Sequence, residues 1–276
     1  MINYEEGAEH SVLNGDTKTE VFLAEGVGGT PQQHVRSVIT ESIYDYGARA
    51  GIWRLLRAFE RHGVRGTVYG VGLALQQNPA VATRCREMGW EIACHGWRWI
   101  DYADFPPERE REELERCVQL FEHQTGRAPA GWYVGRLSRT SYMLLRELYA
   151  ERGDRLLWLS DSYADDLPFW REVPAGAKKE GEPALLILPY SLDCNDYKYM
   201  MPNNWSSPED FEKYLKDAFD SLYEEGVHGA PKMMSIGLHA RISGRPGRVG
   251  AVKRFVEYVM SKPDVWVATV SCASAV

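Results

Sequence analysis

No Cys-x-x-C pair occurs among the five cysteines of this 276-residue chain: Cys85, Cys94, Cys117, Cys194 and Cys272 are odd in number and widely spread. That pattern excludes a disulfide scaffold and a cysteine-built structural zinc site, and it fits a reducing, cytoplasmic setting. The first residues, Met-Ile-Asn-Tyr-Glu-Glu, have neither a basic nor an apolar signal region, and no apolar run approaches about 18 residues. Neither export by a visible signal nor a membrane span is therefore expected. Basic charge is also in deficit, with 32 Lys and Arg against 39 Asp and Glu for a net charge of -7. Nucleic acid and anionic membranes would not attract such a surface, so a small-molecule partner is expected instead. Nucleotide signatures are missing too. No Gly-Lys-Ser/Thr follows Gly26-Val27-Gly28-Gly29, and Gly70-Val71-Gly72 lacks a third glycine. There is no Gly-x-Ser-x-Gly elbow for a serine nucleophile.

What is present is a sizeable core: 44% of residues are hydrophobic and 26% charged. Short segments at 2–4, 67–71, 91–94, 131–136, 156–159, 185–188, 233–238 and 265–270 read as strands, the first as a strand tail and the fourth as a strand or a turn. Between them lie amphipathic segments that read as helices: Ile52, Leu55, Leu56 and Phe59 at helical spacing, then stretches opened by Pro79, Pro107, Ser141 and Pro208, and one from Val249 to Met260. Residues 10–40 are rich in Gly, Asp, Asn and Pro and read as a long loop, of a kind often used for function or for oligomer contacts. Strands alternating with helices imply a parallel sheet, and the count predicts an α/β fold of the (β/α) barrel type, incomplete or distorted, with about seven strands. No linker or repeat divides the chain, so residues 1–276 are expected to form a single domain.

Four of these strands end in titratable residues: Glu5 and Glu6, His95, Asp161 and His239. A lone histidine at such a place is commonly a satisfied core residue. In a parallel barrel, however, the carboxyl ends of all strands share one face, so these side chains converge although they are remote in sequence. Carboxylates and two imidazoles in one pocket suit acid-base hydrolysis, one group taking a proton from water while another protonates a leaving nitrogen. Aromatics at 97–102 and 132–133 are either plain core or the walls of a site for a small planar ligand.

The order Glu-Glu-Gly, His after a strand, Gly131-Trp132-Tyr133-Val134-Gly135-Arg136, Asp161 and Leu238-His239 resembles the five-motif plan of the polysaccharide deacetylase (NodB-homology) family. More closely, Asn3-Tyr4-Glu5-Glu6-Gly7, His95-Gly96-x-Arg98-Trp99-Ile100-Asp101-Tyr102, Asp165-Asp166-Leu167-Pro168 and Gly237-Leu238-His239-x-Arg241-x-x-Gly244-Arg245-Pro246 are similar to the branch of metal-independent allantoinases. Metal-dependent members of the family carry two histidines four residues apart and an aspartate pair in the first motif. Here Trp99 stands at the second histidine's place, and an indole has no lone pair for zinc.

The resemblance implies hydrolysis of a carbon–nitrogen bond in a cyclic amide, the opening of allantoin's hydantoin ring to allantoate in purine catabolism, with no cofactor or metal required. It implies Glu5 as the base toward water, Glu6 and Asp161 as orienting groups, His95 as the residue positioning water or the ring carbonyl, and His239 as the acid. Trp99 and Arg245 are expected to hold the ring. Trp132, Tyr133 and the shifted arginine Arg136 are expected to line the same site. A homo-oligomer is also implied. Two alternatives stand beside this reading: a zinc-dependent N-deacetylase of polysaccharides or chitin, and an impaired binding protein on the same fold.

Overall fold

A computed structural model describes residues 1–22, 24, 30–172, 184–202 and 204–274. The glycine run from Gly26 to Gly29 lies outside these residues. The elements that build the sheet are β1 (Ile2–Tyr4), β2 (Thr67–Gly70), β3 (Glu91–Cys94), β4 (Gly131–Trp132), β5 (Trp158–Leu159), β6 (Phe169–Arg171), β7 (Leu185–Ile187) and β8 (Leu238–His239). They lie in the order β6-β7-β5-β4-β3-β2-β1-β8. Every neighbouring pair is parallel except β6 with β7 at one edge. The α/β fold with about seven parallel strands is therefore as expected; β6 adds an antiparallel eighth. The barrel is not closed by a ladder among the described residues, because β6 and β8 are its two edges. A single parallel bridge between Asn195 and Gly237 ties the chain after β7 to the start of β8.

The helices pack outside this sheet: α1 (Val38–Tyr46), α2 (Ile52–Glu60), α3 (Gly72–Gln77), α4 (Pro79–Glu87), α5 (Pro107–Thr125), α6 (Ser141–Arg152), α7 (Pro208–Val227), α8 (Pro246–Met260) and the short α9 (Val270–Ala273). Their ends follow local chemistry. Ser207 and Asp210 form a reciprocal capping box at the start of α7, and Gly126 ends α5 in a left-handed conformation. Among the described residues no helix is long and apolar enough to cross a membrane.

Two apolar clusters divide the interior. Ile2, Tyr4, Val68, Cys94, Trp132, Leu159 and Ile187 pack against the helices, whereas Tyr69, Ala93, Tyr133, Trp158, Leu188 and Tyr190 form a separate group inside the curved sheet. This is the two-residue period of a strand made visible, with alternate side chains sent to opposite faces.

One expected strand is absent. Residues 265–269 form no strand, and Val270 opens α9 instead. Both flanks of β1 are already taken by β2 and β8, and the segment docks through side chains: the Val270 amide donates to Thr67 Oγ1 at 2.9 Å and the Ser271 amide to Glu91 Oε2 at 3.0 Å. Its β-branched composition is a poor guide, because the segment docks its amides on side chains and pairs with neither edge of the sheet.

Candidate active site

Alternation along β1 decides which glutamate reaches the barrel interior. Ile2 and Tyr4 belong to the outer core, so Asn3 and Glu5 point inward, and Asn3 Nδ2 donates to the Tyr190 hydroxyl at 3.2 Å. Glu5 is only 1% exposed. Its Oε1 lies 3.3 Å from Nε2 of His95 and 3.3 Å from Nε2 of His239. Its Oε2 accepts a 2.7 Å hydrogen bond from Nη1 of Arg241. Three strands, β3, β1 and β8, thus deliver one carboxylate and two imidazoles to a common point, as the strand-end argument requires. His95 reaches it because the chain turns away at Gly96, whose φ of +77° is left-handed and whose carbonyl accepts the Gly72 amide at 2.8 Å.

Behind His239 stands a residue the sequence reading passed over. Nδ1 of His239 is 2.6 Å from Oδ1 of Asp196, a fully buried carboxylate. Burial by itself would lower the His239 pKa, but Glu5 and Asp196 outweigh it and push the imidazole up to about 9. Burial would likewise raise the Glu5 pKa, and here the His239 and Arg241 charges win, holding it well below the usual carboxylate range. Both shifts favour a Glu5 carboxylate opposite a protonated His239, an arrangement that places a proton donor at Nε2.

The remaining carboxylates do other things. Glu6 Oε2 accepts the Glu5 amide at 3.0 Å and Oε1 accepts the Arg241 amide at 3.1 Å, so both its oxygens fix backbone. Asp161, at the end of β5, accepts the amides of Val134 at 2.9 Å and Gly135 at 2.5 Å. Burial raises its pKa to about 6, against the pull of those amides and of His95. Glu6 thereby fixes the backbone of Glu5 and Arg241 and Asp161 that of Val134 and Gly135, and no direct bond joins Asp161 to Glu5 or His239.

The aromatic residues separate into wall and core. Tyr133 lies against His95 with ring centroids 5.0 Å apart and stacks on Tyr190 at 4.9 Å. A cavity of about 450 Å³ lined by Tyr190, Tyr163, Tyr197, Asp193 and Lys198 opens beside this pair. Trp99 packs on Phe22 and Tyr44, with the Arg136 guanidinium 4.3 Å from its ring centre and that of Arg241 5.0 Å away. Arg136 also faces Glu20 at 3.9 Å. Arg245 lies 3.7 Å over the Tyr46 ring, just ahead of α8.

Trp132 must be reassigned. It is fully buried on the outer face of β4, with Nε1 donating to the Tyr149 hydroxyl at 2.7 Å. The strand period that brings Tyr133 inward sends Trp132 to the helix layer, so it is core and not a ligand contact.

The donor set does not suit the metal of the deacetylase plan. Trp99 brings no lone pair, both Glu6 oxygens hold backbone amides, and His95 Nε2 is turned to Glu5. Among the described residues no group of three or more His, Cys, Asp or Glu side chains is arranged to hold a metal ion.

Comparison with known proteins places this geometry. The profile of the family described as Polysaccharide deacetylase matches residues 36–150. A Schizosaccharomyces pombe protein provisionally named a polysaccharide deacetylase is 42% identical over 274 residues, covering 98% of this chain and 86% of its own. The chain belongs to the polysaccharide deacetylase family. Two solved structures extend the match. A provisionally named polysaccharide deacetylase from Pseudomonas aeruginosa PAO1 superposes with a TM-score of 0.92 at 44% identity, over 99% of this chain and 88% of that one. The PuuE allantoinase superposes with a TM-score of 0.92 at 40% identity, over 99% of this chain and 87% of that one. The family resemblance and the barrel fold read from the motifs are both upheld by these matches.

The sequence reading of this family member found Glu5, His95 and His239 but gave no part to Asp196 or Arg241. Asp196 opens a short 3-10 helix, Asp196–Met200, and does not stand at a strand end. Arg241 was within a quoted motif, and its spacing two residues after His239 was the signal available.

Proposed function

We propose that this polysaccharide deacetylase relative is a hydrolase of a carbon–nitrogen bond in a small cyclic amide, with allantoin, opened at its hydantoin ring to allantoate, as the substrate. The observation that carries the reading is Glu5 Oε1 held between the Nε2 atoms of two histidines, beside an indole that cannot ligate a metal. The likeness to the PuuE allantoinase supports the choice of ring.

In this reading a water bound near Glu5 Oε1 attacks the ring carbonyl carbon, and Glu5 takes its proton as the new carbon–oxygen bond forms. His239 gives the Nε2 proton to the ring nitrogen as the carbon–nitrogen bond breaks, leaving a carboxylic acid and an open ureido group; the acid then ionises to solvent, and the proton held by Glu5 passes back to His239. His95 orients the water. The 3.3 Å separations are loose for hydrogen bonds, and such distances tighten when substrate closes the site. No cofactor enters the scheme.

A second reading, N-deacetylation of a sugar with a bound divalent metal, is favoured by the names of the family and of two relatives. One assay separates them: hydrolysis of allantoin with and without chelator by the wild type, His239→Ala and Glu5→Gln. Turnover that ignores chelator and falls about a hundredfold or more in both variants is expected. Equal rates in all three proteins, or loss with chelator and recovery with zinc, would overturn the first reading.

A further inference from the structure

Glu5 and Glu6 are neighbours in sequence and both buried, at 1% and 3% exposure. Two carboxylates without solvent repel each other, and unless a cation stands between them one must take up a proton. The cation here is a side chain. Arg241 Nη1 is 2.7 Å from Glu5 Oε2 and 3.6 Å from Glu6 Oε1, and the same residue's amide donates to Glu6 Oε1. Its guanidinium is 1% exposed and lies 4.4 Å from the ring centre of Tyr44 and 5.0 Å from that of Trp99. Two aromatic faces therefore fix the position of the charge, which a long arginine side chain would otherwise leave free to vary.

We propose that Arg241 is the positioning residue of the base, a built-in cation that pins Glu5 through Oε2 so that Oε1 alone faces His95 and His239. The proposal rests on reading Glu5 as the base. It also gives Trp99 a part distinct from the ring contact expected of it: the indole backs the guanidinium. The groups around Glu5 are His95 from β3, His239 from β8 with Asp196 behind it, Glu6 beside it and Arg241, beneath which lies Tyr44 of α1. Of these only Arg241 is a permanent cation, so removing its charge leaves Glu5 dependent on His239 for its ionisation.

The test is a carbon-13 NMR titration of carboxyl-labelled glutamate in the full-length protein, with the Glu5 resonance assigned by Glu5→Gln, in the wild type, Arg241→Met and Arg241→Lys. The Glu5 midpoint is expected to rise by about one pH unit or more in Arg241→Met and to stay low in Arg241→Lys. In allantoin hydrolysis both variants should lose at least about tenfold in kcat with a smaller change in KM. The acid limb of the rate profile should move up only in Arg241→Met. A Glu5 titration unchanged in Arg241→Met overturns the proposal. Should that variant fail to fold, a folded Arg241→Lys with wild-type kcat overturns it equally, because the single ammonium cannot reproduce the guanidinium's seat against two rings. If the wild type does not hydrolyse allantoin, the substrate reading fails while the titration still decides the part played by Arg241.

Discussion

Asp196 fixes His239 at both ends of its residue: Oδ1 takes the ring Nδ1 at 2.6 Å, and Oδ2 takes the His239 backbone amide at 2.8 Å. The same Oδ2 accepts the Ser243 amide at 3.1 Å. One carboxylate therefore sets the ring's tautomer, its rotation and the path of the chain after β8. Replacement by asparagine preserves the shape and removes the charge. Asp196→Asn is expected to lower kcat on the order of a hundredfold, with a smaller effect on KM, and to move the alkaline limb of the rate profile below pH 9. Kinetics across pH 6 to 10 check this; an unmoved alkaline limb would remove Asp196 from the acid's environment.

The same pair makes stability depend on pH. The His239 pKa is raised from 6.5 in the unfolded chain to about 9 in the folded one, by Glu5 and Asp196 acting against burial. A group raised on folding contributes stability that is complete below the unfolded value, near 6.5, and is lost as pH rises through about 9. The unfolding free energy should therefore fall between pH 7 and 10 by on the order of a few kcal/mol, read as a falling denaturant midpoint. His239→Gln should flatten most of that slope. A wild-type midpoint constant over this range would contradict the ion-paired state of the site.

Trp132 and Tyr133 provide a paired test of which face is which. Trp132→Ala empties a fully enclosed site against Tyr149 and is expected to cost about 3 to 5 kcal/mol of stability. Trp132→Phe should cost less and leave KM unchanged. Tyr133→Leu, beside His95, should instead raise KM or lower kcat at modest cost in stability. Denaturant curves and steady-state kinetics on the three variants distinguish these outcomes. A KM effect in Trp132→Phe would return that residue to the site.

How much of this was legible in the sequence depends on which rule governed each residue. Glu5, His95 and His239 could be gathered because parallel strands end on one face, and that rule needs only strand positions. The rule could not choose between Glu5 and Glu6; the alternation from Ile2 and Tyr4 could have, since two outward residues leave Asn3 and Glu5 inward. Asp196 was invisible for a different reason. It is brought beside β8 by the single bridge from Asn195 to Gly237, a contact between segments some forty residues apart in a stretch without regular strand pattern. β6 was hidden by its own sequence, Phe169-Trp170-Arg171, whose half-exposed edge position gives no alternation of burial. The expected strand at 265–270 failed because pairing, and not composition, decides whether a β-branched run becomes a strand.

Gly47 offers the sharpest test of how the outer layer holds the site. It lies in the helical region, with φ of -58° and ψ of -47°, so alanine would fit its backbone and, from helix propensity alone, should stabilise by up to about 1 kcal/mol. Sterics oppose this: a Cβ there would collide with Glu6 Oε1 and come within 2.7 Å of Glu6 Cδ. Glu6 cannot swing aside without releasing the amides of Glu5 and Arg241 that its two oxygens hold. The clash is with a residue tied at both ends, so the overpacking cost of about 1 to 3 kcal/mol should outweigh the propensity gain. Gly47→Ala is therefore expected to lower the denaturant midpoint and, by shifting Glu5 and Arg241, to reduce kcat about tenfold or more. A variant as stable and as active as the wild type would show that Glu6 yields freely, and would detach it from the support of the base.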